Sequence, residues 1–172
     1  MVVLRKMGKK NYRIPKAYRP IALLNTIGKA LESVIARRIS YMVETHNILP
    51  PTYLGGRKGI STEHAVLHLV DWIRRAWGHG RHVVTMVLVD VSGAYDNVSH
   101  QRLLHNLRMQ GLGFLVPWIS SFLTGRLIRI CMPEHMTESF STPTGIPQGS
   151  PMSPILYLLY NCPLIKECSS HV

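Results

Sequence analysis

The sequence predicts a mixed α+β chain in which helices outnumber strands. Three observations carry this. Residues 25–45 and 61–77 place apolar side chains at helical spacing. Residues 82–89 are instead nearly all apolar and largely β-branched, the pattern of a buried strand. Clusters of Gly and Pro separate these segments and mark where each must stop.

Taken in order, residues 1–20 carry Arg5, Lys6, Lys9, Lys10, Arg13, Lys16 and Arg19 and no carboxylate. Gly8, Pro15 and Pro20 argue against a helix, so an extended basic arm is expected. Such an arm is either a solvated tail or a phosphate-contacting segment. Asn25 or Thr26 caps a first helix reaching about Thr45, with Ile27, Ala30, Leu31, Val34, Ile35, Ile39 and Met42 on one stripe. Pro50 and Pro51 stop the chain from continuing as helix. A glycine-rich loop, LGGRKGIST at residues 54–62, leads into a second helix to about Trp77. Val66, Leu69, Trp72, Ile73 and Ala76 are expected to face inward there.

The run 82–89 is expected as a strand buried on both faces. A third helix spans about residues 99–110 and is closed by Gly111. Residues 114–123 form a fourth. Residues 126–132 alternate polar and apolar and suggest a strand, with 138–142 as its hairpin partner. A last helix starts near residues 149–153 and runs through Tyr160.

With 46% hydrophobic residues, the chain is not a disordered tail. Twenty Lys+Arg against nine Asp+Glu give a net charge of +11 and a pI near 10.0. That balance points to a polyanion, either nucleic acid or an anionic membrane surface. Three cysteines without CxxC spacing fit free thiols better than a disulfide frame or zinc site. No uncharged apolar stretch reaches the ~18 residues of a membrane span, so a soluble intracellular protein with no membrane partner is expected.

Asp90 stands where the predicted strand ends, a position that projects a carboxylate into a crevice and suits a divalent cation. A strand-end aspartate standing alone is more often a cap than a ligand. Asp96, six residues on, is expected to cap the turn into the third helix. The 54–62 loop offers backbone N–H groups with Arg57 and Lys58, a combination that suits a triphosphate and equally a plain turn. The stretch GIPQGSPMSP at 145–154 is harder to explain structurally. Its three prolines and two glycines fix a backbone shape around Gln148.

Four blocks occur in one order: YRPIALL at 18–24, LGGR with Ser61-Thr62, DVSGAYD at 90–96, and PQGSPMSP at 147–154. Together they resemble the reverse transcriptase domain of a non-LTR, LINE-like retrotransposon. The wording of the first two blocks favours this over a group II intron maturase-type polymerase. The resemblance implies a right-hand polymerase fold, with fingers and the first half of the palm, truncated before the Asp-Asp hairpin and the thumb. On that reading residues 1–20 are the arm, 21–81 fingers, 82–110 a first palm segment, 111–146 a return to the fingers, and 147–172 the palm loop and helix.

The resemblance also implies roles. Asp90 would ligate two Mg²⁺ ions, with the Val91 carbonyl helping at one. Tyr95 would exclude a ribose 2′-OH. Arg57, and more weakly Lys58, would meet the incoming triphosphate, while Gln148 and Gly149 would line the nucleotide and template pocket. Lys6, Lys9, Lys10 and Arg13 would touch nucleic acid. The partners implied are an RNA template, a DNA primer and a dNTP, in the nucleus or cytoplasm, with mitochondria as an alternative. Two-metal transfer needs several carboxylates, and the sequence has no Asp-Asp pair. The encoded activity is therefore expected to be silent in this chain alone, with marginal stability from an uncovered sheet edge. The rival expectation is a non-catalytic, basic RNA- or DNA-binding retroelement remnant.

Overall fold

The computed structural model describes residues 1–78, 80, 83–132 and 135–169. Its core is helical. Strand β1 (Val2–Arg5) and strand β2 (Tyr18–Ile21) pair antiparallel, Val2 opposite Ile21 and Arg5 opposite Tyr18. Helix α1 (Thr26–Thr45) follows, capped by Asn25, whose side chain accepts from Ile27 N–H at 2.9 Å. Helix α2 spans Thr62–Gly78 and α3 His100–Met109. Ser99 caps α3, and Gly111 (φ +78°) follows its end. A single 3₁₀ turn leads into α4 (Val116–Leu123).

Four short strands follow: β3 (Leu127–Ile128), β4 (Cys131–Met132), β5 (His135–Met136) and β6 (Phe140–Ser141). β3 and β6 form the expected hairpin, Ile128 opposite Phe140. β4 and β5 join the N-terminal pair instead, giving the order β2-β1-β4-β5 with β1 and β4 parallel. The basic arm is thus folded into a sheet rather than a solvated tail. Tyr12 and Tyr18 meet edge to face, and Lys6 Nζ donates to the Lys16 carbonyl at 3.1 Å.

Helix α5 (Ser153–Ser169) is the centre of the core, with Leu156, Leu159 and Cys162 fully buried. It packs on α3 through Leu103 and Leu107, and with α1 and α4 supplies Ile39 and Ile119. Burying each such side chain stabilises by roughly 1.5–3 kcal/mol. Pro163 lies inside α5 and cannot donate to the Leu159 carbonyl one turn back. Gln110, the residue that ends α3, supplies a donor to that carbonyl, and Asn106 of α3 adds a bond to the next one. Gln110 Nε2 donates to Leu159 O at 2.9 Å and Asn106 Nδ2 to Tyr160 O at 2.8 Å.

Three sequence expectations fail. Residues 83–90 form no strand, and Val83, Val87, Leu88 and Val89 are all at least 80% exposed. His82 lies outside the described residues. A strand exists only through its ladder partner, and no described segment pairs with this one. Helix α2 forms as expected but buries none of its residues; Val66, Leu69 and Trp72 are exposed, because no described element packs closely on that face. On α1 the buried stripe is narrower and rotated. Ile39 and Val43 are inside, with Glu32 buried on the same side, while Ile27, Leu31 and Val34 stay exposed.

Candidate nucleotide and nucleic-acid site

Three of the four blocks meet at one corner, and main-chain hydrogen bonds hold them. Gly145 N–H donates to Val98 O at 2.8 Å and Ile146 N–H to Tyr95 O at 2.9 Å. Ala22 N–H, just past β2, donates to Gln148 O at 2.7 Å. The His100 ring nitrogen lies 2.7 Å from Gly145 O and closes the seam from α3.

The glycines are needed for this closeness. Gly145 has φ +85°, and a Cβ there would sit 2.8 Å from the Asp96 carbonyl oxygen. Gly149 has φ +113°, and its Cβ would meet Ala22 O at 2.9 Å. The serines complete the loop. Ser153 Oγ donates to Pro147 O at 2.7 Å, and Met152 N–H donates to Ser150 Oγ at 3.1 Å. Ser150 in turn donates to the buried carboxylate of Glu32 on α1. Sequence reasoning missed Glu32. Its signal was position: a carboxylate seven residues before Ile39 and three before Ile35 sits on the inward stripe of α1.

The seam walls a cleft of about 270 Å³ lined by Lys6, Arg19, Tyr95, Asp96 and Gln148, among others. Tyr95 is half-buried and meets Tyr157 of α5 edge to face, centroids 5.3 Å apart. Burial, then the neighbouring Tyr157, pushes its phenol pKa above the usual 10.0. Tyr95 therefore stays a neutral ring at physiological pH. Of the residues expected at the nucleotide, Tyr95 and Gln148 come together here and Gly149 adjoins them. Lys6, expected only as a nucleic-acid contact, lines the same cleft.

Others are placed elsewhere. Arg57 is not in the cleft. Its Nε donates to Glu44 Oε1 at 2.9 Å, its Nη2 pairs with Glu44 Oε2, and Nη1 reaches Pro50 O at 3.5 Å. Glu44 holds the guanidinium pKa up and occupies its fork, so Arg57 ties the 54–62 loop to α1. Lys58 is exposed beside it. Lys9, Lys10 and Arg13 are exposed on the arm. Asp96 does not cap α3, because Ser99 Oγ already accepts from Arg102 N–H at 3.3 Å.

Asp90 and Val91 are exposed at the end of the apolar run, where a turn over residues 92–97 begins. That turn is closed by Asn97, whose N–H donates to Gly93 O at 2.9 Å and whose Nδ2 donates to Ser92 O at 3.0 Å. Among the described residues no three His, Cys, Asp or Glu side chains gather as a metal site. A two-ion centre does not fit this donor set. Asp90 offers one carboxylate, and no step is assigned to a metal.

The corner fixes a Gln-Gly turn beside a half-buried aromatic and the cations of Lys6 and Arg19. The family can be stated directly. Residues 6–172 match the reverse transcriptase (RNA-dependent DNA polymerase) family, and the chain belongs to it. It is 31% identical over 159 residues to a probable RNA-directed DNA polymerase from transposon X-element of Drosophila melanogaster. The alignment covers 92% of this chain and 17% of that protein. It is 30% identical over 171 residues to the corresponding protein of transposon BS from the same organism, covering 95% and 18%. The polymerase of the mobile element jockey is 26% identical over 160 residues, covering 93% and 17%. These relatives are polymerases of non-LTR retrotransposons, and the chain spans less than a fifth of their length.

Proposed function

We propose that this chain forms the nucleotide-receiving side of an RNA-directed DNA polymerase, with an RNA template and a DNA primer as partners. One observation carries the reading: Tyr95, Gln148 and Lys6 line a single cleft whose walls are stitched by backbone hydrogen bonds. Their roles follow from their chemistry. Lys6 offers a cation to phosphate. Gln148 offers an amide to a base or sugar, and the Gly149 turn keeps the backbone close. Tyr95 acts through shape, as a ring held against Tyr157 that leaves room for a deoxyribose and collides with a 2′-OH. Asp90 supplies one carboxylate at the mouth of the turn. Asp90 would be one of the carboxylates holding Mg²⁺, which would supply charge neutralisation for nucleotidyl transfer once further carboxylates joined it. No such set gathers among the described residues, and template-directed extension by residues 1–172 alone is expected to be absent.

The test is binding rather than turnover. A fluorescent dTTP is titrated into the chain and into Tyr95→Ala and Gln148→Ala. Weaker binding in Gln148→Ala, with UTP competing as well as dTTP only in Tyr95→Ala, supports the reading. Equal competition by UTP and dTTP in the parent chain sinks the gate role. Primer extension abolished by Asp90→Ala would overturn the expected silence. The exposure of Asp90, with no cluster of carboxylates around it among the described residues, favours a second reading, a basic RNA- or DNA-binding protein with no catalytic part. Nucleic-acid binding with no measurable dNTP affinity would select it.

A further inference from the structure

A second basic surface lies outside that cleft, on the outer face of α1. Two hollows of about 630 and 610 Å³ flank the helix, and Arg37 and Tyr41 line both, forming the ridge between them. On one side the ridge faces Phe114 and Trp118, with Arg38 on the rim. On the other it faces Lys58.

The aromatic rings are presented to solvent. Tyr41 is 72% exposed and Phe114 64%. Trp118 is half-buried and held in place by stacking on Phe122, rings 5.6 Å apart and 6° from parallel. The charge is of one sign. The only carboxylate lining either hollow is Glu44, which is bound to Arg57. The other carboxylate of α1, Glu32, is buried under Ser150. Among the described residues that line the two hollows, Arg37 and Arg38 therefore have no unpaired carboxylate beside them.

Rings standing free between cations are the two elements of a single-strand platform, where bases stack and phosphates pair. Duplex bases are already stacked and could not use the rings. We infer that the α1 ridge is a docking track for single-stranded RNA, with Tyr41, Phe114 and Trp118 under the bases and Arg37, Arg38 and Lys58 on the phosphates. RNA is the occupant argued because the chain belongs to an RNA-dependent polymerase family. The track does not depend on the roles proposed for Tyr95 or Gln148.

The experiment measures anisotropy of a labelled 12-nucleotide oligouridine on the chain between 50 and 300 mM salt. In Arg37→Gln/Arg38→Gln the slope of log affinity against log salt should become shallower by about 1.4, two phosphate contacts at ~0.7 each on a single strand. Tyr41→Ala and Phe114→Ala should each weaken binding about ten-fold with the slope unchanged. All four side chains are exposed, and circular dichroism checks that the fold persists. Lys9→Gln/Lys10→Gln separates the track from the arm. An unaltered slope in the arginine variant, or the full loss appearing only in the arm variant, overturns the proposal. So does duplex RNA or the matching deoxy-oligonucleotide competing as well as oligouridine. A concentration-dependent dimer that Tyr41→Asp dissolves would assign the face to a second copy instead.

Discussion

The corner where residues 18–22, 95–98 and 145–153 meet and the run from 83 to 91 are comparably suggestive in sequence, yet they end in opposite states. The corner is fixed three ways: backbone donors find acceptors across it, glycines allow the contact, and α5 lies beneath it with Leu156 and Leu159 at no exposure. The run has apolar side chains and no ladder partner, and Leu88 is 84% exposed. Apolarity states that a segment can be covered. It does not state by what. The corner's partners lie among the described residues, while no described segment pairs with the run.

The largest contrast should come from one truncation made in each region. Leu156→Ala removes a buried side chain from α5 and should cost about 2–5 kcal/mol in urea unfolding, depending on how far the cavity collapses. Leu88→Ala should cost under about 0.5 kcal/mol. Equal losses would show that the run is packed, and the contrast between the regions would fail.

The seam itself is probed by Gly145→Val. The substitution forces a β-branched residue to φ +85° and drives its Cβ against the Asp96 carbonyl. The expected loss is about 3 kcal/mol, with dTTP binding lost at the same time. A Gly145→Val chain that melts like the parent would mean that the loop is not seated on residues 95–98.

A smaller effect separates a strut from a ligand. Arg57 and Glu44 form a fork-to-carboxylate pair that is part-buried, with side chains 16% and 38% exposed. A double-mutant cycle with Arg57→Gln and Glu44→Gln should give a coupling of about 1 kcal/mol. Affinity for dTTP should not change. Loss of dTTP affinity without coupling would return Arg57 to the triphosphate.

Alkali probes the ring at the centre of the corner. Burial raises the Tyr95 pKa in the fold above the unfolded 10.0. Below pH 10 the phenol is neutral in both states and its contribution to stability is intact. As pH rises past 10 the unfolded chain ionises first, and stability falls until the folded pKa is passed. Urea midpoints from pH 8 to 11 should therefore fall less steeply in Tyr95→Phe than in the parent. Parallel curves would mean that Tyr95 is solvated.

What the sequence made legible follows the same division. Helix ends were readable because their signals are local: Asn25 and Ser99 cap with their own side chains, and Gly111 follows α3. The β3–β6 hairpin was readable from alternation. The blocks around Tyr95 and Gln148 were readable as a group, since each carries glycines or prolines that a free loop does not need. Nonlocal pairings were not. Arg57 looked like a phosphate ligand because its partner Glu44 lies thirteen residues back on another element. The spacing of the third helix did not show that Gln110 and Asn106 donate to the carbonyls of Leu159 and Tyr160, some fifty residues on along the chain. The inward face of α2 was inferred from a period that is real, but a period names a face without supplying what covers it.

The smallest expected effect is the most informative about the uncovered run. Leu88→Lys places a charge where 84% of the side chain already meets solvent, so the unfolding free energy should stay within about 0.5 kcal/mol of the parent. Its consequence should appear between molecules instead. An exposed, apolar, low-charge segment with no ladder partner among the described residues is a template for strand addition, and a lysine within it opposes that pairing. Light scattering at rising protein concentration should show less association for Leu88→Lys than for the parent, while Leu88→Ala stays close to the parent. If Leu88→Lys instead lowers the unfolding free energy by more than about 1 kcal/mol, residues 83–91 are buried in solution. The segment would then have found within the chain the partner strand that its sequence pattern predicts.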